Sequence, residues 1–231
     1  MKASDSKQQT QAGSTQQLNR QRSASFDIEC RQCERLARFL DSVKAEYPEY
    51  YCKPVPPFGD PQAELLLVGL APGKHGANAS GRPFTGDYAG LLLYETLHRF
   101  GLASQPTGSH ADDGLLLNNI RISNAVKCLP PENKPTTRET DTCSRYLKAE
   151  LDGDPYIKVV ITLGSIAHRA FLKTQGLVLS KYPFGHLAEY RLPSGMQLIS
   201  SYHCSRYNTQ TRRLTPEMFQ AVFGRALKLI E

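Results

Sequence analysis

A glycine-rich run, GLAPGKHGANASGRPFTGD (Gly69–Asp87), follows the apolar stretch Leu65-Leu66-Leu67-Val68. A loop of this kind at the end of a buried strand commonly holds a phosphate or a nucleotide. This one lacks both the GK[ST] step and the GxGxxG spacing, and it places a bare methyl, Ala71, where a catalytic carboxylate would be most useful. The chain has six cysteines. Cys30 and Cys33 form a C-x-x-C pair, and Cys128 and Cys143 bracket a proline-rich loop, CLPPENKPTTRETDTC. Two local pairs of soft thiolates suit a tetrahedral Zn²⁺ or an iron–sulfur cluster, and such a group would tie the N-terminal helix to the middle of the fold. Burial as small hydrophobes is the plainer alternative for the same residues. Cys52 and Cys204 fit neither pair. Cys204 adjoins His203, but neighbouring side chains on an extended segment point apart, which argues against a Cys–His nucleophile.

These residues need a scaffold, and the hydrophobic pattern supplies one. The 231 residues are 40% hydrophobic and 9% aromatic, which suits a globular chain with a real core. Strand-like apolar runs are expected near 64–70, 120–126, 158–163 and 196–201, with a short hairpin between 185 and 198. Helical spacing is expected over 30–47, 90–100, 138–151, 165–173 and 216–229. Alternation of strands with helices predicts an α/β fold, a three-layer α/β/α arrangement around a central, mainly parallel four-stranded sheet. In such sheets ligands bind beyond the carboxyl ends of the strands. That rule gathers the Gly69–Asp87 loop, Asn124–Cys128 and Tyr202–Arg213 on one rim. Residues 1–27 are rich in Gln, Ser and Thr and poor in large apolar side chains, so a disordered polar tail is expected there, followed by a single domain over 28–231. No run is long enough to span a bilayer and the start lacks the apolar centre of a secretory signal, so the expected location is the cytoplasm, associated with the nucleoid. A net charge of +6 is compatible with a polyanionic partner. A soluble nucleotide hydrolase is disfavoured, because neither a P-loop lysine nor a carboxylate metal cluster is present.

Taken in order, GLAPG, HGAN, GRPFTGD, NAVKCLPP and HCSRYNTQTRRLT, together with the four cysteines, resemble the uracil-DNA glycosylase superfamily, and within it the iron–sulfur-containing family 5. The resemblance implies a DNA repair hydrolase that cleaves the N-glycosidic bond of uracil, and of other deaminated or damaged bases such as hypoxanthine, to leave an abasic site. It also implies a 4Fe-4S cluster on Cys30, Cys33, Cys128 and Cys143, DNA as the partner, no membrane contact, and a monomer. The flipped base would be held by Gly69, Ala71, Pro72, Gly73, Phe84 and Asn124, with Phe84 as the stacking face and the Asn124 amide reading the pyrimidine edge. His203 would stabilise the leaving anion, with Asn78 first and Asp87 second as candidates for positioning water. Arg206, Asn208, Arg212 and Arg213 would face DNA with Tyr207, and Lys127 could add backbone contacts. Alanine at position 71 is the family's usual residue. Two positions depart from it: Cys204 stands where proline follows the histidine, and Arg212 stands where glycine serves a tight turn. A non-catalytic iron–sulfur nucleic-acid-binding module is the alternative, which Ala71 favours. Each side chain also has a plain structural reading, such as helix capping for Asp87 and turn-fixing for the asparagines.

Overall fold

The computed structural model describes residues 26–231. In chain order the elements are α1 (Glu34–Glu46), β1 (Phe58–Gly59), β2 (Leu65–Gly69), α2 (Ala77–Ser80), α3 (Tyr88–Arg99), β3 (Ile120–Asn124), α4 (Thr137–Asp152), β4 (Val159–Leu163), α5 (Ser165–Thr174), β5 (Glu189–Arg191), β6 (Gln197–Ser201), α6 (Arg206–Gln210) and α7 (Pro216–Lys228). The strands form one sheet in the order β1-β3-β2-β4-β6-β5. Its four inner strands, β3, β2, β4 and β6, run parallel. Every residue of β2, β3 and β4 is buried, as expected of parallel strands covered on both faces.

Alternation along the strands sorts the two covers. Leu65, Leu67, Ile120, Ile122, Val159 and Ile161 point to one side and pack with Leu93 and Leu97 of α3 and Phe219 and Phe223 of α7. Leu66, Val68, Val160 and Leu198 point to the other and pack with Leu147 of α4 and Phe171 of α5. The chain is therefore α/β with helices on both faces. The sheet differs from the expected four strands: it has six, because antiparallel β1 and β5 close its edges. Those edge strands have two and three residues, too short to carry a period-2 signal. The expected hairpin is realised as the β5–β6 pair.

The register does the positioning. Gly69 pairs with Asn124 at the carboxyl ends of β2 and β3. The ladder continues past them, with Ala125 N–H on Gly69 O and Val126 N–H on Leu70 O, both at 2.9 Å. β6 ends two residues before His203 on the same rim. The expected tail falls almost wholly outside the described residues; Phe26, included in it, packs edge-to-face on Tyr146 with ring centroids 5.3 Å apart. Among the described residues no helix is long and apolar enough to cross a membrane.

Candidate active site

The rim gathers Asn124 at the end of β3, Phe84 in the loop after β2 and His203 just past β6. A Cβ added to Gly69 would lie 2.4 Å from Asn124 Oδ1 and 2.9 Å from Phe84 Cζ, so glycine is required there for space. Phe84 is buried and holds a left-handed backbone (φ 53°). Its carbonyl oxygen would lie 1.8 Å from a Cβ at Gly90, so the first turn of α3 also needs a glycine. The rings of Phe84 and His203 lie 6.0 Å apart at 28°. Burial pushes the His203 imidazole down to about 4, so it is neutral near pH 7. Among the described residues no group hydrogen-bonds to that ring. Only the backbone carbonyl of His203 is engaged, accepting from Asn208 Nδ2 at 2.8 Å. Asn208 thus braces the histidine segment.

Beyond His203 lies a cavity of about 250 Å³, lined among others by Gly164, Ser165, Tyr202, His203, Asn208 and Arg213. α5 starts at its wall with Gly164 as an N-cap that offers no side chain to the helix amides. A helix N-terminus left open in this way favours an anion. Arg213 stacks its guanidinium over Tyr202 at 4.6 Å. Sequence reasoning missed Gly164 and Ser165; the available signal was a Gly-Ser step straight after the apolar run of β4. Arg206 lies over Tyr88 at 5.0 Å, Tyr207 is 70% exposed, and exposed Arg212 sits at φ 55°, the left-handed turn that its glycine-replacing position implied.

The remaining expected site residues lie along and behind the glycine loop. Asn78, on α2, is fully buried, with Nδ2 3.4 Å from Cys52 Sγ and 3.5 Å from Lys74 O, while its Oδ1 has no partner. It anchors the loop from behind and does not line the cavity. Ala71, half-buried, packs against the apolar cluster that includes the four cysteine side chains. Pro72 is buried, and Gly73 O receives the amides of Gly76 and Asn78. Asp87 is the N-cap of α3, accepting from Gly90 N at 2.9 Å. Its Oδ2 faces the loop, 3.6 Å from a Cβ built at Gly73. Burial raises its pKa, opposed by backbone donors at Gly90 and Ala89. Lys127 does not reach the surface: it is buried, with Nζ on Glu150 and Ser123. Cys204 is likewise buried, and burial pushes its thiol up, which rules against a thiolate nucleophile.

Cys30, Cys33, Cys128 and Cys143 line one small cavity between α1 and α4. Cys33 is the N-cap of α1 and Cys143 lies in the second turn of α4. Burial and mutual repulsion raise Cys33, Cys128 (to about 12) and Cys143. Lys127 N–H approaches Cys143 Sγ at 3.3 Å, and Arg145 Nη2 approaches Cys30 Sγ at 3.5 Å. Among the described residues no three Cys, His, Asp or Glu side chains converge tightly enough for a single ion. Arg35 of α1 grips Glu139 of α4 through two bonds of 2.8 and 2.7 Å beside this cavity.

Residues 56–226 match the family model described as the uracil DNA glycosylase superfamily. A type-5 uracil-DNA glycosylase of Thermus thermophilus is 47% identical over 87% of this chain and 93% of its own. One from Mycobacterium leprae is 42% identical over 94% of this chain and 96% of its own. A type-4 uracil-DNA glycosylase of Archaeoglobus fulgidus is 33% identical over 61% of this chain and 57% of its own.

Proposed function

This chain belongs to the uracil-DNA glycosylase superfamily and, within it, to the type-5 group, and on that footing we propose that it excises uracil from DNA by hydrolysing the N-glycosidic bond. The observation that carries the reading is the convergence of Gly69, Phe84, Asn124 and the unpartnered His203 ring at the carboxyl ends of β2, β3 and β6. Phe84 gives the flipped pyrimidine a flat face, and Gly69 leaves room for it. The Asn124 amide can accept from N3–H and donate to O4, the edge that distinguishes uracil from cytosine. As the glycosidic bond lengthens, negative charge gathers on the base, and a neutral His203 donates toward O2 to hold it. The cation-like sugar then needs only a weakly nucleophilic water. Of the two candidates for that water Asp87 is the better placed, since its Oδ2 faces the glycine loop whereas Asn78 is sealed behind it. The cavity at the α5 N-terminus, with Arg213, suits a backbone phosphate, and Tyr207 is free to enter the gap that the base leaves.

The four thiols fit a 4Fe-4S cluster. All four line one small cavity between α1 and α4, and four soft thiolates are the donor set such a cluster takes. One buried and three half-buried thiols gathered on one cavity need cations among them to ionise together, and the cluster's irons would supply that charge. Cys30, Cys33, Cys128 and Cys143 would hold it, and its part is to staple α1 to the sheet. Hypoxanthine and other altered bases are further substrates on this reading. The protein works as a monomer, one domain over residues 28–231, on DNA in the cytoplasm. Incubation with a uracil-containing duplex followed by alkali tests it: strand scission at the uracil is expected. Retention of the duplex without scission would instead favour a non-catalytic iron–sulfur binding module, the reading that Ala71 alone would support.

A further inference from the structure

Phe84 presents its ring toward Gly69 and Asn124 from a backbone conformation that bulky residues avoid. Such a conformation persists only where the surroundings over-determine it. Arg82, two residues earlier, contributes to that constraint beside the close packing on Gly69 and Gly90. Its Nε donates to Thr85 Oγ1 at 2.8 Å, closing the turn around Phe84. Its Nη1 and Nη2 donate to the two oxygens of Asp113 at 2.8 and 2.7 Å, a bidentate pair with side chains only 5% and 7% exposed. Asp113 also accepts the backbone amides of Ser109 at 2.8 Å and Leu115 at 3.0 Å. The guanidinium holds its carboxyl well below the usual carboxylate range. On the near side of Phe84, Tyr94 OH donates to Pro83 O at 2.6 Å. The 104–115 segment approaches closely enough for Gly86 N–H to reach Gly108 O, and a Cβ at Gly108 would lie 2.7 Å from the Tyr94 ring.

We infer that Arg82 and Asp113 are positioning residues for base recognition, a buried fork that fixes the turn carrying Phe84 and makes the 104–115 segment its brace. This rests on the reading of Phe84 as the stacking face for an extruded pyrimidine. The pair touches neither Asn124 nor His203, so its influence on excision runs through Phe84.

A double-mutant cycle tests it. Single-turnover uracil release is measured for the wild type, Asp113→Asn, Phe84→Leu and the double variant, alongside binding to a duplex carrying a tetrahydrofuran abasic analogue, which has no base to stack. Asp113→Asn is expected to slow release by about 10²-fold, the scale of a misplaced recognition group. It should leave analogue binding and the circular-dichroism spectrum unchanged, and add almost nothing in the Phe84→Leu background. Arg82→Lys, which keeps the charge but loses the fork, should behave the same way. Losses that multiply with Phe84→Leu, or that weaken analogue binding equally, would overturn the inference, as would failure of both variants to fold. A wild type that releases no uracil would sink the functional reading instead, a result separate from any of these.

Discussion

Among the described residues no group hydrogen-bonds to the His203 ring, and burial drives its pKa down to about 4. A donor of this kind works in its neutral form, and that form persists as pH falls until about 4. The rate of uracil release should therefore show no inflection near 6.5 in a single-turnover pH series; a break there that vanished in His203→Ala would assign the imidazole a charged role. The same substitution should slow base release by about 10²–10³-fold, as loss of an anion-holding donor does elsewhere, with little change in affinity for an abasic analogue. Arg212 gives a second prediction. Its left-handed backbone strains a non-glycine residue, and the entropy of a flexible glycine in the unfolded chain offsets part of the relief. Arg212→Gly should thus gain up to about 1 kcal/mol in urea unfolding. If the guanidinium meets a phosphate, the slope of log affinity against log salt should shrink by about one. At this scale the motif spelled out Phe84, Asn124 and His203. It did not reveal that Asn78 and Lys127 face inward, because which way a loop side chain turns depends on distant neighbours such as Cys52 and Glu150.

Elements were legible where their pattern was long. β2 and β4 read as nearly continuous apolar runs because both faces are covered, and α4, expected over 138–151, runs over Thr137–Asp152 behind a reciprocal capping box of Thr136 and Glu139. β1, β5, α2 and α6 have two to five residues each, so tertiary contacts define them more than local preference does. The Cys30–Cys33 segment reveals a division of labour that spacing could not. α1 is held to α4 both by the cysteine cavity and by Arg35 on Glu139. Glu139 also accepts Thr136 N at 2.7 Å, so it serves the cap and the inter-helix link together. Glu139→Ala should cost about 1–2 kcal/mol, the scale of a lost cap, read from urea melts. Arg35→Ala should cost less, and the pair of substitutions less than the sum of the two, because they share one interaction. A full sum would place Arg35 outside the link.

Across the whole molecule, acid is where these local arrangements should fail together. Burial lowers the pKa of His168, His186 and His203 below the ordinary 6.5. His168 is buried between Ser200 Oγ at 2.7 Å and Tyr182 O at 2.8 Å; burial lowers its pKa, and the bond to the Tyr182 carbonyl opposes that in part. A group depressed in the folded state binds its proton first in the unfolded chain. Its contribution is complete above 6.5 and declines as pH falls toward the folded value, each such imidazole removing up to about 1.4 kcal/mol per pH unit in that window. Asp113, Glu139 and Glu189, whose carboxyls are held low by arginines, extend the decline below about 4. Asp87 runs the other way: burial raises its pKa, so protonation relieves it and partly opposes the loss at low pH. Three imidazoles against one carboxyl set the net sign between 6.5 and 4. The unfolding midpoint should hold steady from pH 8 to about 6.5 and then drop. His168→Asn should flatten the first part of that drop while leaving the carboxylate part intact, because it removes one titrating group from the window and none below it. A midpoint that stayed level down to pH 4.5 in calorimetry would mean that these imidazoles accept protons in the folded protein as readily as in the unfolded chain.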